Sequence, residues 1–217
     1  MKKLILLTIA TTTASVALAA TTPYTAQLDS AQVSPPFGGE GDPGGVSTQT
    51  ASAQMTLDTT VSLMPVLHYT LTFPTLDLDG SRTPGVLDDD VTAIHIHFGA
   101  FGANGPHALN IFGFSAGTIR EDDADMVVNA LNGTITGRWD NSDQTFTGPG
   151  GTKQPFDSVG LSAALSDLQG GNLYFQVHTL NYPSGEIRGQ ILPVPEPGTL
   201  ALCGMGAVLL WLRSRAG

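Results

Sequence analysis

Cysteine is almost absent from this chain: Cys203 is the single one among 217 residues. Residues 20–193 therefore have no disulfide, iron–sulfur cluster, thiolate zinc site or cysteine nucleophile to draw on. Basic residues are scarce too, nine against nineteen acidic ones, for a net charge of −10. Lys2, Lys3, Arg213 and Arg215 lie at the two ends, so residues 20–193, which also leave out Glu196, hold five basic and eighteen acidic residues. That balance excludes nucleic acid as a partner, because phosphates must be neutralised by basic groups, and it disfavours an anionic leaflet for the same reason. Zinc-peptidase and nucleotide motifs are missing as well. There is no His-Glu-x-x-His helix, and the glycine-rich run 38–45 lacks the Lys-Ser/Thr of a phosphate loop. Helix-period segments are rare, which points the body towards β-structure.

The ends carry address information. Met1-Lys2-Lys3 is a cationic start, residues 4–10 are apolar, and Ala17-Leu18-Ala19 is a small-x-small site. This pattern predicts a signal peptide over 1–19, with Ala17 and Ala19 as the small residues of one cleavage site, so that the mature chain begins near Ala20. At the other end, Pro195-Glu196-Pro197 breaks the chain before an apolar segment, 199–212, that is closed by Arg213 and Arg215. Its thirteen consecutive apolar-run residues, 200–212, reach about 20 Å as a helix, against a hydrocarbon core of about 30 Å. Such a segment is short for a permanent anchor and fits a processing signal. Residues 194–217 resemble the PEP-CTERM sorting signal of Gram-negative bacteria. The resemblance implies an exosortase-type membrane peptidase as partner and transient insertion in the inner membrane. It further implies delivery to the outer surface or extracellular matrix, with extracellular polysaccharide or surface proteins as partners there.

Between the ends, 20–193 has the length of one domain. Apolar and polar residues alternate over 51–57, 67–73, 91–98, 173–179 and 186–191, between Gly, Pro, Asn and Asp, which predicts strands. Residues 157–168 have helical spacing, and Gly170-Gly171 stops the run. The expected fold is all-β, a single antiparallel Greek-key sandwich with one short helix, flanked by an N-terminal signal helix and a C-terminal apolar helix. Ala93-Ile94-His95-Ile96-His97-Phe98-Gly99, Asn104-Gly105-Pro106, the strand 172–179 and Tyr182-Pro183-Ser184-Gly185-Glu186-Ile187-Arg188-Gly189-Gln190-Ile191 occur in that order. Together with Tyr24-Thr25-Ala26-Gln27-Leu28 they resemble the CHRD domain over 24–192. The resemblance implies an immunoglobulin-like or superoxide-dismutase-like sandwich.

Period-two geometry gives the chemical lead, since residues i and i+2 share a face of a strand. Ile94, Ile96 and Phe98 take the core face, which puts His95 and His97 together on the other, and the same alternation places His178 with Tyr174 and Gln176 outside. If the two strands are neighbours, His95, His97 and His178 converge into a three-imidazole site for copper or zinc. The competing reading is structural, with the imidazoles bonded to backbone carbonyls or to Glu186. Glu186 and Arg188 share a face, which allows an ion pair. Asp77, Asp79 and Asp88-Asp89-Asp90, like Glu121-Asp122-Asp123 with Asp125, offer calcium-type oxygen ligands or a solvated acidic surface. The expected role is that of an exported, non-enzymatic structural or binding component. The alternative is an envelope copper- or zinc-binding protein, and a dismutase-type enzyme ranks third on fold analogy.

Overall fold

The computed structural model describes residues 21–34, 46–61, 64–115, 118–119 and 121–195. The signal segment with Ala17 and Ala19, the Gly/Pro-rich stretch 35–45 and the tail from Glu196 through Arg213 and Arg215 lie outside the described residues.

Alternation in the sequence becomes alternation of burial. In β1 (Thr21–Asp29), β2 (Thr50–Asp58) and β3 (Val66–Thr72), Leu28, Ala53, Leu57, Leu67 and Leu71 are buried, while the intervening Gln27, Gln54 and Thr70 are exposed. These three strands form an antiparallel meander. It continues through β8 (Thr134–Trp139) to β7 (Val127–Asn129). A second run consists of β6 (Thr118–Ile119), β5 (His107–Ser115), β4 (Val91–Phe98), β9 (Leu173–Thr179) and β10 (Ile187–Gln190). Asp29 of β1 pairs with Arg188 of β10, so the two runs are halves of one sheet, and β11 (Leu192–Pro193) adds to β1. Leu28, Leu71, Ile135 and Trp139 of one half and Ile96, Leu109, Phe175 and Ile187 of the other belong to a single core cluster. The sheet therefore curls on itself over one apolar interior, and the all-β, antiparallel, sandwich-like expectation holds. Each such side chain contributes about 1.5–3 kcal/mol through removal from water.

The helix α1 (Leu161–Gln169) begins four residues later than its apolar spacing suggests, and it buries Leu161, Ala164 and Leu168. Asp157 is engaged elsewhere. Its carboxylate accepts the backbone N–H groups of Thr147 and Gln154 and the Thr147 hydroxyl, which holds 157–160 as an extended lead-in. Gly171, at φ 69°, ends the helix. Trp139 fixes the lead-in to β8 by donating its indole N–H to the Val159 carbonyl at 2.9 Å. Tyr182 to Gly185 forms a tight turn before β10, with the Gly185 N–H on the Tyr182 carbonyl at 3.0 Å.

Candidate metal centre

β4 and β9 are buried on both faces, unlike the strands of the other half. One face packs on the core through Ile94, Ile96, Phe175 and Val177. The other is polar and covered. Tyr174 is 2 % exposed and Gln176 6 %, so the face expected to lie outside is an enclosed one. The covering comes from Phe156 and from the loop after β4, which Arg188 and Gln190 of β10 hold through the Ala100 and Gly99 carbonyls. Across the strands the register sets out two rows: Arg188, Gln176, His95 and Asn110, then Gln190, Tyr174, His97 and His107. His178 lies opposite Ala93, whose small side chain adjoins His95 on the same face.

The two strands are neighbours, and their histidines meet. One nitrogen from each of His95, His97 and His178 lies within 4.8 Å of the others, the one such group of histidine, cysteine or acidic ligands among the described residues. His97 Nδ1 is 2.9 Å from the Gly105 carbonyl and His178 Nδ1 is 2.9 Å from the Pro183 carbonyl. A carbonyl can only accept, so Nδ1 carries the proton in both rings and Nε2 carries the lone pair. Neither nitrogen of His95 has a hydrogen-bond partner among the described residues, and the same is true of His97 Nε2. Burial pushes both imidazoles well below the usual histidine range, His97 to about 3, and the neighbouring rings add to the shift by mutual repulsion of their charged forms. Neutral imidazoles with aimed lone pairs are the form that binds metal. The backbone carbonyls take the orienting position that second-sphere groups occupy around metal-bound histidines. No carboxylate or thiolate belongs to the group, which suits copper or zinc and not calcium or magnesium.

Local sequence explains these tethers. Gly105 sits so close to β4 that a Cβ there would fall 1.8 Å from the Phe98 carbonyl oxygen, so only glycine lets its own carbonyl reach His97. Tyr174 stacks parallel to His97, with ring centroids 5.1 Å apart and planes 9° apart. On its other side lies the buried Arg188 guanidinium, 3.5 Å from the ring centroid. Arg188 also donates to the Ala100 carbonyl and the Asn104 side chain, which pins the covering loop. Its expected ion pair with Glu186 does not form. Glu186 is buried and accepts the hydroxyls of Ser47 and Thr179, each at 2.6 Å.

A fourth histidine, which period-two reading did not reach, packs its ring against the group without belonging to its compact set of ligand atoms. His107 has its ring centroid 4.2 Å from that of His95 and 4.5 Å from that of His97. Two β-bulges bring it there: Ala108 and Ile111 are extra residues of β5 against β4, so His107 and Asn110, three apart, both turn to the polar face. The signal was present as two polar residues breaking alternation within His107-Ala108-Leu109-Asn110-Ile111. His68 stands exposed on the other half of the sheet, outside the group. The acidic loops serve the backbone. Asp77 is fully buried and accepts the N–H groups of Asp79, Arg82 and Thr83, leaving it a loop organiser and not one of a compact set of calcium ligands.

Compared with known proteins, residues 24–191 match the family model described as the CHRD domain, most of the length between the two predicted targeting segments. Among curated proteins, none matches the chain.

Proposed function

The chain belongs to the CHRD domain family, and from that premise we propose that it works as an extracellular, non-enzymatic binding domain that holds a copper or zinc ion between His95, His97 and His178. The observation that carries this reading is the convergence of three imidazole nitrogens within 4.8 Å on a covered face. Tethered tautomers support it, as does the absence of any hydrogen-bond partner for His95 among the described residues. An unpaired buried polar atom costs about 1–3 kcal/mol, and a bound metal removes that penalty. Deep placement, with His95 only 3 % exposed, favours retention of an ion over turnover of a substrate. The route outwards is the signal peptide followed by PEP-CTERM sorting through an exosortase-type peptidase. The destination is the cell surface or extracellular matrix, with polysaccharide or surface proteins as its neighbours.

The test is metal content. The purified chain is stripped with a chelator, reloaded with Cu(II) or Zn(II), desalted and analysed by mass spectrometry for metals. One ion per chain is expected, with affinity at least about tenfold lower in His95→Ala and in His97→Ala. Equal metal content in the parent and both variants overturns the assignment.

A further inference from the structure

We propose that the three-histidine site holds copper as Cu(I), and that the buried guanidinium of Arg188 sets this preference for the lower charge. The proposal rests on the three-histidine reading above and adds an oxidation state to it.

Arg188 is a cation without a counter-ion. It is 1 % exposed, and no carboxylate pairs with it among the described residues. All its partners are neutral. The guanidinium donates to the Ala100 carbonyl at 3.0 Å, to Gln190 Oε1 at 3.3 Å and to Asn104 Oδ1 at 3.4 Å, and it lies 3.5 Å from the centroid of the Tyr174 ring. Buried charges are ordinarily paired, because taking them out of water is costly. The carboxylates on adjoining segments are engaged elsewhere. Glu186 accepts the hydroxyls of Ser47 and Thr179, and Asp122 accepts the Asn110 amide and the hydroxyls of Ser158 and Thr145. A positive charge is thus left on the covered face with one ring, that of Tyr174, between it and His97. His97 feels it, since Arg188 is among the groups that push its imidazole towards the neutral form.

Charge then decides the oxidation state. The three ligands are neutral imidazoles, and no carboxylate or thiolate belongs to the compact group. The cost of holding an ion in such surroundings rises with the square of its charge, and a fixed cation beside it adds repulsion in proportion to that charge. Both effects weigh more heavily on Cu(II) than on Cu(I). The number of donors acts in the same direction. Three protein nitrogens are one short of the tetragonal set that Cu(II) takes, whereas Cu(I), with a filled d shell, imposes no such geometry. The couple is Cu(II) plus one electron giving Cu(I). Its imidazole ligands are neutral in both states, so no proton moves with the electron.

The experiment loads the stripped full-length chain with Cu(II), or with Cu(I) under ascorbate without oxygen, and measures each affinity by competition with a chromogenic chelator. The ratio of the two affinities gives the reduction potential of the bound ion relative to free copper. Cu(I) is expected to bind at least about tenfold more tightly than Cu(II), which raises the potential by about 59 mV or more. Arg188→Met should shrink that ratio at least about tenfold, whereas Arg188→Lys, which keeps the charge, should stay near the parent. Tighter binding of Cu(II) by the parent, or an unchanged ratio in Arg188→Met, overturns the proposal while leaving the triad in place. An equal fall in Arg188→Met and Arg188→Lys does the same, because it reduces Arg188 to a packing role. Binding of neither copper ion by the parent, or full retention in His95→Ala, overturns the triad itself and this proposal with it. Circular dichroism establishes whether the Arg188 variants fold, and if they do not, the parent's ratio decides.

Discussion

Two buried aspartates have opposite fates because their donors differ. Burial alone would raise both. At Asp77 the backbone N–H groups of Thr83, Asp79 and Arg82 outweigh it and hold the carboxyl at about 2. At Asp143 burial dominates, the carboxylates of Asp123, Asp140 and Asp125 reinforce it, and the single N–H of Asp140 does not compensate, so the carboxyl rises to about 7. An unfolded aspartate titrates near 3.9, so folding takes up a proton at Asp143. Its contribution to stability is then full below about pH 4 and is lost as pH rises through about 7. Urea unfolding of the parent and of Asp143→Asn between pH 4 and 7.5 checks this. The parent should lose at least about 1 kcal/mol more than the variant across that window, and equal slopes would refute the claim. Residues were also where the sequence was most legible. The two-residue period puts His95, His97 and His178 on one face, and they come together because β4 and β9 are neighbours that run regularly past each other from Ala93 to Phe98. What the period could not show was that their face is covered, since the lid comes from loops distant in sequence.

Elements were legible where their own residues determine them and obscure where a distant one does. The strands 51–57, 67–73, 91–98 and 173–179 match observed strands to within a residue or so at each end. β5 escaped notice because its bulges put apolar Ala108, Leu109 and Ile111 beside polar His107 and Asn110, erasing the alternation on which recognition depends. The start of α1 depends on long-range partners too. Gly160 is the N-cap and has no side chain to offer, so the Ser162 N–H is satisfied from outside by Asn141 Oδ1 at 2.8 Å. Asn141 Nδ2 returns a bond to the Ser162 hydroxyl, also at 2.8 Å. Asn141 is thus a cap supplied across 21 residues, and its loss should cost what a local cap costs, about 0.5–2 kcal/mol. Asn141→Ala is expected to lower the melting temperature by a few degrees while leaving bound metal unchanged. No change in melting temperature would mean that water replaces the cap at no cost.

At the scale of the whole molecule, the curled sheet and the charge balance point to the same surroundings. One core serves both halves, so the body is a single folding unit stabilised without disulfides. No helix among the described residues is long and apolar enough to cross a membrane, and the proposed transient insertion therefore rests on the tail from Glu196 onward. Cleavage at both ends would remove Lys2, Lys3, Arg213 and Arg215 with one acid, Glu196, and leave five basic against eighteen acidic residues, a net charge of −13. A body so acidic is repelled by anionic lipid and polyanions once released, whereas the basic ends favour engagement with the membrane while they remain. On the proposed route, processing would remove the membrane-seeking ends, and the processed and unprocessed states can be separated. Expressed in a Gram-negative host that has an exosortase, the chain should appear outside the cells with the mass of a chain that begins near Ala20 and ends near Val194. In a host without one, it should sediment with the membranes and retain Cys203, which thiol labelling detects. An extracellular form that still carries Cys203, or cytoplasmic material that retains Met1 in both hosts, would refute the sorting route without touching the histidine site, because every ligand of that site lies between Val91 and Thr179.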